Sequence, residues 1–347
     1  MNPLTTAPQT DPTLLLRYRD RQYAADLLGV AILRFNLFTW LDGRSEVETA
    51  EILRQFDVHR RPTEVLLTLC RSMGLMESDA SLQRHRLTQL GREHLVDGSP
   101  WSLKPYYQSL ESSSILQDHL KVLKTGRPGN WQAQSDGNDW HESMRDPEFA
   151  SRFTAMMNCR GLSFGQALAK KLGPELKQRK HVLDVGGGSG IYSATLVATH
   201  DHLHATVLEQ APVDQLVEKE VVRHGLQSRI SVASGDMFDC DWPQEVDVVL
   251  MSNLLHDWDL PQIDQLLQRA DETLPAGGLL VVHQALLDDD LAGPLPAAEY
   301  SCLLMNITQG RCYSRKEIAD LLVPRGYQIG ECQETLADRR FFTATKR

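Results

Sequence analysis

The chain has 347 residues, 41% apolar and 24% charged, with 36 basic against 46 acidic side chains for a net charge of −10. That balance belongs to a globular protein able to bury a core, and the length allows two domains or one domain with a large appendage. No basic run exceeds a pair, which argues against nucleic acid or an anionic membrane as the main partner, and the six scattered cysteines without C-x-x-C spacing argue against a disulfide framework or zinc site and for a reducing, cytoplasmic setting.

Residues 1–12 are polar and rich in Pro and Thr, a disordered tip rather than a signal peptide. From about Tyr18 to Trp40 the apolar positions Ala24, Leu27, Leu28, Ala31, Ile32, Phe35, Phe38 and Leu41 recur at three and four residues. This predicts a helix with one broad apolar face, ended by Gly43. Its apolar stretch, broken by Arg34 and Asn36, is too short to cross a bilayer. Two further helices are expected near Glu46–Phe56 and Arg61–Met73, then a short hairpin around His85-Arg86-Leu87-Thr88. Three helices and a hairpin outline a winged-helix module. Its recognition helix, Thr63–Met73, carries Glu64, Leu66, Leu67, Leu69 and Cys70, with only Arg60, Arg61 and Arg71 nearby. That is too few cations for phosphate contact, so a protein-contact role is expected.

Trp101 to Ser112 is aromatic, and Thr125–Asn138 reads as a Gly/Pro/Asn-rich loop. A helix from Pro147 to Leu172 carries Phe149, Phe153, Met156, Met157, Leu162, Phe164 and Leu168. That stripe serves either core packing or a wall against an apolar substrate. From His181 on, apolar runs at Val182–Val185, Ala205–Leu208, Ile230–Ala233, Val246–Met251 and Leu279–Val282 alternate with helical patterns such as Val213–His224 and Leu260–Thr273. Such alternation predicts an α/β domain with a doubly wound parallel sheet. Tyr327–Ile329 and Phe341–Thr345 are expected to close it as an antiparallel pair.

Ligands of such sheets bind outside the carboxyl ends of the strands. At the first of them stands Val182-Leu183-Asp184-Val185-Gly186-Gly187-Gly188-Ser189-Gly190. Glycines at this spacing allow a tight strand-to-helix turn and a close approach of backbone N–H groups to a ligand. The dinucleotide pattern G-x-G-x-x-G requires glycine at 191, where the chain has Ile191; Asp184, Gly186, Gly188 and Gly190 fit D-x-G-x-G-x-G instead. The second strand ends in Glu209, placed to take ribose hydroxyls. The third is followed by Asp236, suited to accept from an adenine amino group, and by Met237, suited to cover the ring. The fourth ends in Ser252 and leads to Leu255-His256-Asp257-Trp258. Histidine titrates in the range needed to take a proton from a hydroxyl acceptor, which makes His256 the candidate general base. Asp257 is its neighbour in sequence, and i,i+1 side chains do not face each other on a helix. Asp257 is therefore expected to cap or to contact cofactor rather than to orient His256. Asp288-Asp289-Asp290 reads as a solvated turn, and no metal site is expected.

These motifs resemble the plant-type, caffeate and acetylserotonin O-methyltransferase-like family. The resemblance extends over Leu41-Asp42-Gly43, Leu87-Thr88-Gln89-Leu90-Gly91, the glycine run, Gly235-Asp236-Met237-Phe238, Leu255-His256-Asp257-Trp258 and Gly310-Arg311-Cys312-Tyr313-Ser314. It implies a class I methyltransferase domain over 176–347 that binds S-adenosyl-L-methionine (SAM) and releases S-adenosyl-L-homocysteine (SAH). SAM would be held by the glycine loop, Glu209 and Asp236, with Ser252 alongside. It further implies a winged-helix dimerisation domain over 1–100, a helical connector and substrate wall over 101–175, metal-independent chemistry with His256 as base, and a homodimer. Met156, Met157, Asn306 and Gln284 are the expected substrate-binding residues.

The family flanks its base histidine with two glutamates; the corresponding positions here are Gln284 and Cys312. Glu299 is a candidate substitute. A lost carboxylate weakens an imidazole base, which favours an acidic phenol or enol as the acceptor. Transfer to carbon or nitrogen, or a regulatory protein that binds SAM without turnover, remain the alternative readings.

Overall fold

The computed structural model describes residues 2–129 and 143–347; the part of the expected Thr125–Asn138 loop from 130 onward lies outside the described residues. Contacts divide the chain into two compact units. One combines residues 15–129 with 287–314, and the other combines 2–14, 143–286 and 315–347. Boundaries drawn at 100 and 175 leave this crossing out, because composition does not record which helix packs on which.

The first unit is mainly helical. The helix expected from Tyr18 to Trp40 is broken into the end of helix Thr13–Asp20, Ala24–Gly29, a π-helical turn Val30–Arg34 and Leu37–Leu41. The last break falls at Asn36, whose φ of +46° is left-handed. Asparagine tolerates that region, and here its Nδ2 donates to Asp97 Oδ2 at 2.7 Å while its Oδ1 accepts from Thr39 Oγ1 at 2.9 Å. The apolar face still enters one core through Leu27, Val30, Ile32, Leu37 and Phe38. Strand β1 (Val47–Glu48), helices Thr49–Phe56 and Arg60–Ser72, and strands β2 (Met76–Ser78) and β3 (Arg84–Leu87) follow, the strands pairing antiparallel in the order β1-β3-β2. His85 links them: Thr49 Oγ1 lies 2.8 Å from its Nε2 and Ser78 Oγ 2.7 Å from its Nδ1.

Helix Arg60–Ser72, the element a winged-helix protein would lay in DNA, is buried from Arg61 to Arg71, and helix Leu295–Ile307 packs on it. Its two buried cations, Arg61 and Arg71, are engaged by backbone. The Arg61 guanidinium donates to the carbonyls of Met305 (3.2 Å), Gly310 (2.9 Å) and Gly126 (3.1 Å), and Arg71 Nε donates to that of Leu291 (3.1 Å). Held inside the unit, these side chains are not available for phosphate.

The second unit is the α/β domain. Strands β4 (His181–Val185), β5 (His204–Glu209), β6 (Ile230–Ser234), β7 (Val248–Ser252) and β8 (Leu279–Leu287) are parallel, as the apolar runs predict. Strands β9 (Tyr327–Ile329), β10 (Gln333–Glu334) and β11 (Arg339–Lys346) join antiparallel. The main path runs β9-β11-β8-β7-β4-β5-β6, with β10 on β11. The chain leaves β4 toward β5 and later returns to its other side with β7, so β4 is the switch point where the sheet opens a crevice. Val182, Leu183, Val249, Leu250, Val281, Val282, Phe341 and Phe342 are buried along these strands, as expected of a sheet covered on both faces.

The helix Pro147–Leu176, capped by Asp146 Oδ1 accepting from Phe149 N–H at 2.8 Å, runs past Pro174 and so extends beyond the expected Leu172. It lies close on helix Ile191–Thr199 through two glycines. A Cβ at Gly161 would stand 2.6 Å from Ile191 Cγ2, and one at Gly165 would stand 2.4 Å from Thr195 Oγ1. Among the described residues, no helix is long and apolar enough to cross a membrane.

Candidate active site

The strand order places the residues singled out in sequence along one crevice. From β6 to β8 come Asp236, Glu209, the glycine loop, Ser252 with His256, and Gln284. At about 4.8 Å per strand, the step from β7 to β6 spans roughly 14 Å, enough for an extended nucleoside with an attached amino-acid chain.

Gly186, Gly188 and Gly190 have φ of +60°, +59° and +74°, a region that side chains disfavour. A Cβ on Gly186 would meet Leu254 Cδ1 at 2.9 Å and one on Gly187 would meet Val207 Cγ1 at 2.7 Å, whereas at Gly188 nothing lies within 4 Å. The loop is thus packed from beneath and open at Gly188, a cradle of backbone for a ligand. Asp184 sits beneath it, 1% exposed, accepting from Ser193 Oγ at 2.7 Å. Burial pushes its carboxyl up to about 6. It fastens the strand to the following helix.

Glu209 closes the loop from β5. Its Oε2 accepts from Gly188 N–H at 3.0 Å and its Oε1 from Gln210 N–H at 2.9 Å, and burial raises its pKa to about 7. Asp236 Oδ1 accepts from Phe238 N–H at 2.9 Å, fixing a turn. The sulfur of Met237 would lie 3.7 Å from a Cβ on Gly186, so this side chain borders the loop. Backbone approach at Gly188, a carboxyl for hydroxyls and a sulfur-bearing side chain beside the glycines fit the sugar, base and chain of SAM.

On the other side of β4, Ser252 Oγ lies 2.9 Å from His283 Nδ1, and His283 Nε2 lies 3.0 Å from Thr335 Oγ1. Burial, then Arg339, lowers the pKa of His283 to about 3, so its ring is neutral. His256 stands on the one-turn 3-10 helix Leu255–Asp257, 2% exposed, its N–H donating to Gln284 Oε1 at 3.2 Å. Burial, followed by Arg339, Arg160 and His283, holds its pKa well below the usual value. Asp257 departs from expectation: its Oδ1 lies 3.8 Å from His256 Nε2. The pair sits on a single 3-10 turn rather than in an α-helix, so the α-helical spacing rule does not describe it. Burial raises the Asp257 carboxyl to about 8, with Arg160 pulling it down.

Gln284 is fully buried, and its Nε2 has no hydrogen-bond partner among the described residues. Met156 and Met157 are half-buried on the long helix, where Arg160 Nη2 lies 3.0 Å from Met157 Sδ. Asn306, Cys312 and Glu299 belong to the helical unit. There Asn306 is 2% exposed with its carbonyl accepting from Gly129 N–H at 2.8 Å, and Cys312 N–H donates to Ser301 Oγ at 3.0 Å.

Sequence reasoning missed four residues. Asn253, at φ +50°, donates from Nδ2 to Tyr192 Oη at 2.7 Å and braces the turn before His256. Arg160 and Arg339 approach one ring, their Cζ atoms 6.0 and 5.0 Å from the centroid of Phe164. Arg160 had a signal, since it follows Met156 and Met157 by four and three residues and shares their helix face. Arg339 and Tyr192 had none. Among the described residues, no group of three or more His, Cys, Asp or Glu side chains is placed to hold a metal ion.

Residues 117–328 match the profile of the O-methyltransferase domain. A 3-hydroxy-5-methyl-1-naphthoate 3-O-methyltransferase of Streptomyces sahachiroi is 30% identical over 319 residues, 91% of this chain and 89% of that one. A family 2 O-methyltransferase from Planctomyces limnophilus, solved with apigenin, superposes with a TM-score of 0.86 at 28% identity, covering 99% of this chain and 98% of the other. Human N-acetylserotonin methyltransferase, solved with SAM, shares the fold with a TM-score of 0.60 at 22% identity, covering 98% of this chain and 99% of that one. The chain therefore belongs to the O-methyltransferase domain family and is a SAM-dependent O-methyltransferase of small molecules.

Proposed function

We propose that the acceptor is a hydroxylated aromatic or enolic secondary metabolite and that His256 is the side chain that meets its reacting hydroxyl. One observation carries this reading: the glycine loop and the His256 turn leave adjacent parallel strands, β4 and β7, at the same end. SAM bound on the loop supplies an electrophilic methyl group on a sulfonium. Everything else falls to side chains. Glu209 and Asp236 hold the nucleoside end, Met237 covers it, and Ser252 borders the sulfonium end. Met156 and Met157 form an apolar wall that keeps a planar acceptor in line, and alignment of reacting atoms is itself a large part of the rate enhancement. His256, neutral at working pH because its pKa is depressed, is in the form that accepts a proton.

The test is SAH release from labelled SAM with a panel of hydroxyaromatics. His256→Ala is expected to lose about 10²–10⁴-fold in turnover on weakly acidic hydroxyls; a loss below about tenfold on those acceptors removes the base role.

The helical unit is proposed to form the homodimer. Tyr18, Trp101, Leu103 and Tyr106 are large apolar side chains exposed on it, a pattern that suits an interface. Sedimentation should give a dimer that Tyr106→Glu converts to monomer. The six cysteines, scattered without C-x-x-C spacing, support a reducing cytoplasmic setting.

A further inference from the structure

If a neutral hydroxyl loses its proton to His256, the ring becomes an imidazolium, and its charged neighbours decide how readily that happens. Among the described residues, the groups that face it are Asp257 on its own turn, His283 on β8, Arg339 on β11 and Arg160 on the long helix. His283 is neutral, and burial keeps the Asp257 carboxyl toward its protonated form. Of these groups the two guanidiniums carry the charge that acts on His256, and both lower its pKa. Cations beside an imidazole oppose its protonation, and the same cations favour an oxyanion placed next to it. The arrangement that makes His256 a poor base is a good one for an acceptor already ionised.

The sheet fixes this arrangement. Ser252 pairs with His283, so Gln284 stands one residue beyond that last β7 pairing, at the mouth of the crevice. On its other side β11 places Arg340 opposite Gln284 and Arg339 opposite Ala285. Arg340 turns outward to Glu334, at 3.2 Å, while Arg339 is 2% exposed and lies 5.0 Å from the Phe164 ring that Arg160 also borders. Gln284 uses Oε1 on the His256 N–H and leaves Nε2 as a buried donor without a partner among the described residues, a penalty that a ligand oxygen would remove.

We propose that the acceptor binds as its oxyanion, the phenolate or enolate of an acidic hydroxyl, with Gln284 Nε2 as hydrogen-bond donor and Arg160 and Arg339 as counter-charges. This rests on the O-methyl-transfer reading of the same site. The acceptor loses its proton to solvent before binding. The oxyanion then forms the bond to the methyl carbon as the carbon–sulfur bond breaks and its electron pair stays on sulfur. Ether and thioether leave neutral, and His256 carries no extra proton.

The experiment uses the full chain saturated with SAH and two naphthols. 1-Naphthol is nearly as weak an acid as tyrosine, and 4-nitro-1-naphthol is a far stronger acid with a coloured anion. Bound 4-nitro-1-naphthol is expected to show the naphtholate absorption band at a pH where the free compound is neutral, its apparent pKa lowered by about one unit or more. Gln284→Glu, close in shape, should weaken its binding about tenfold or more and return the spectrum to the neutral form. In turnover with SAM, His256→Ala should lose less than about tenfold on the nitronaphthol and more than about a hundredfold on 1-naphthol. A neutral bound spectrum, equal affinity of Gln284→Glu, or failure of both naphthols to bind overturns the proposal. Naphtholate bound without SAH release from any acceptor would leave the anion site standing and strike the O-methyl-transfer reading instead.

Discussion

Asp184 and Glu209 are both carboxyls at the glycine loop, yet their surroundings give them different work. Asp184 is covered and bonded to Ser193, so Asp184→Ala should cost about 1–3 kcal/mol of stability by leaving the hydroxyl unpaired, with SAM affinity falling because the loop loosens. Thermal melts and calorimetry on one variant would register both. Glu209 has a pKa raised to about 7 in the absence of ligand. Ribose hydroxyls donate to the ionised carboxylate, so binding pulls that pKa down. SAH affinity should therefore be full above pH 7 and decline by up to about tenfold per unit below it. A flat affinity between pH 6 and 8 removes Glu209 from the site. Glycines, Glu209, Asp236 and His256 were legible because each follows an apolar strand in sequence. Arg339 was not, because its place opposite Ala285, the residue after Gln284, is a register fact of the antiparallel strand. The nearness of Asp257 to His256 was not legible, since an α-helical spacing rule does not describe a single 3-10 turn.

Among elements, the contact between the long helix and Ile191–Thr199 depends most on residue size. Gly165→Ala places a methyl 2.4 Å from Thr195 Oγ1, itself bonded to the Tyr192 carbonyl at 2.8 Å. The helices must separate, at about 1–3 kcal/mol. Met156, Met157 and Arg160 ride on the same helix, so KM for the acceptor should rise with the loss in melting temperature; an unchanged KM would detach that helix from the acceptor site. The parallel strands came out of the sequence within a residue or two, except that the one expected at Leu279–Val282 runs on to Leu287, because strands buried on both faces are continuous apolar runs. The broken first helix did not, since the left-handed Asn36 leaves the three-and-four periodicity of its neighbours intact. The extension past Pro174 was hidden too: His200 and His202 approach the Ala169 and Leu176 carbonyls on either side of it, both at 3.0 Å, from a loop distant in sequence.

For the whole molecule, buried imidazoles set the acid limit, among them His85, His119, His256 and His283. His85 and His119 have pKa values lowered to about 4 and His283 to about 3, in each case by burial first. A histidine whose folded pKa lies below its unfolded value near 6.5 contributes stability that is fully present above pH 6.5. That contribution drains away as the pH falls toward 4. At pH 5 each removes about 2 kcal/mol, so melting temperature should drop steeply between pH 6.5 and 5. A constant melting temperature across that window would mean that the rings gain protons without unfolding.

The crossing of residues 287–314 into the helical unit has a consequence for how the protein is made. Cys302 and Met305 are part of that unit's core, and Arg61 holds the carbonyls of Met305 and Gly310. Domains generally fold as units in the order of synthesis, N-terminal first. Here the first unit emerges from the ribosome lacking a helix of its own core, and the helix arrives only after the strands from β4 to β8 have been translated. The N-terminal unit is therefore not a detachable cassette. Residues 1–129 alone should stay aggregation-prone, and a separately supplied 287–314 segment should restore their cooperative melting.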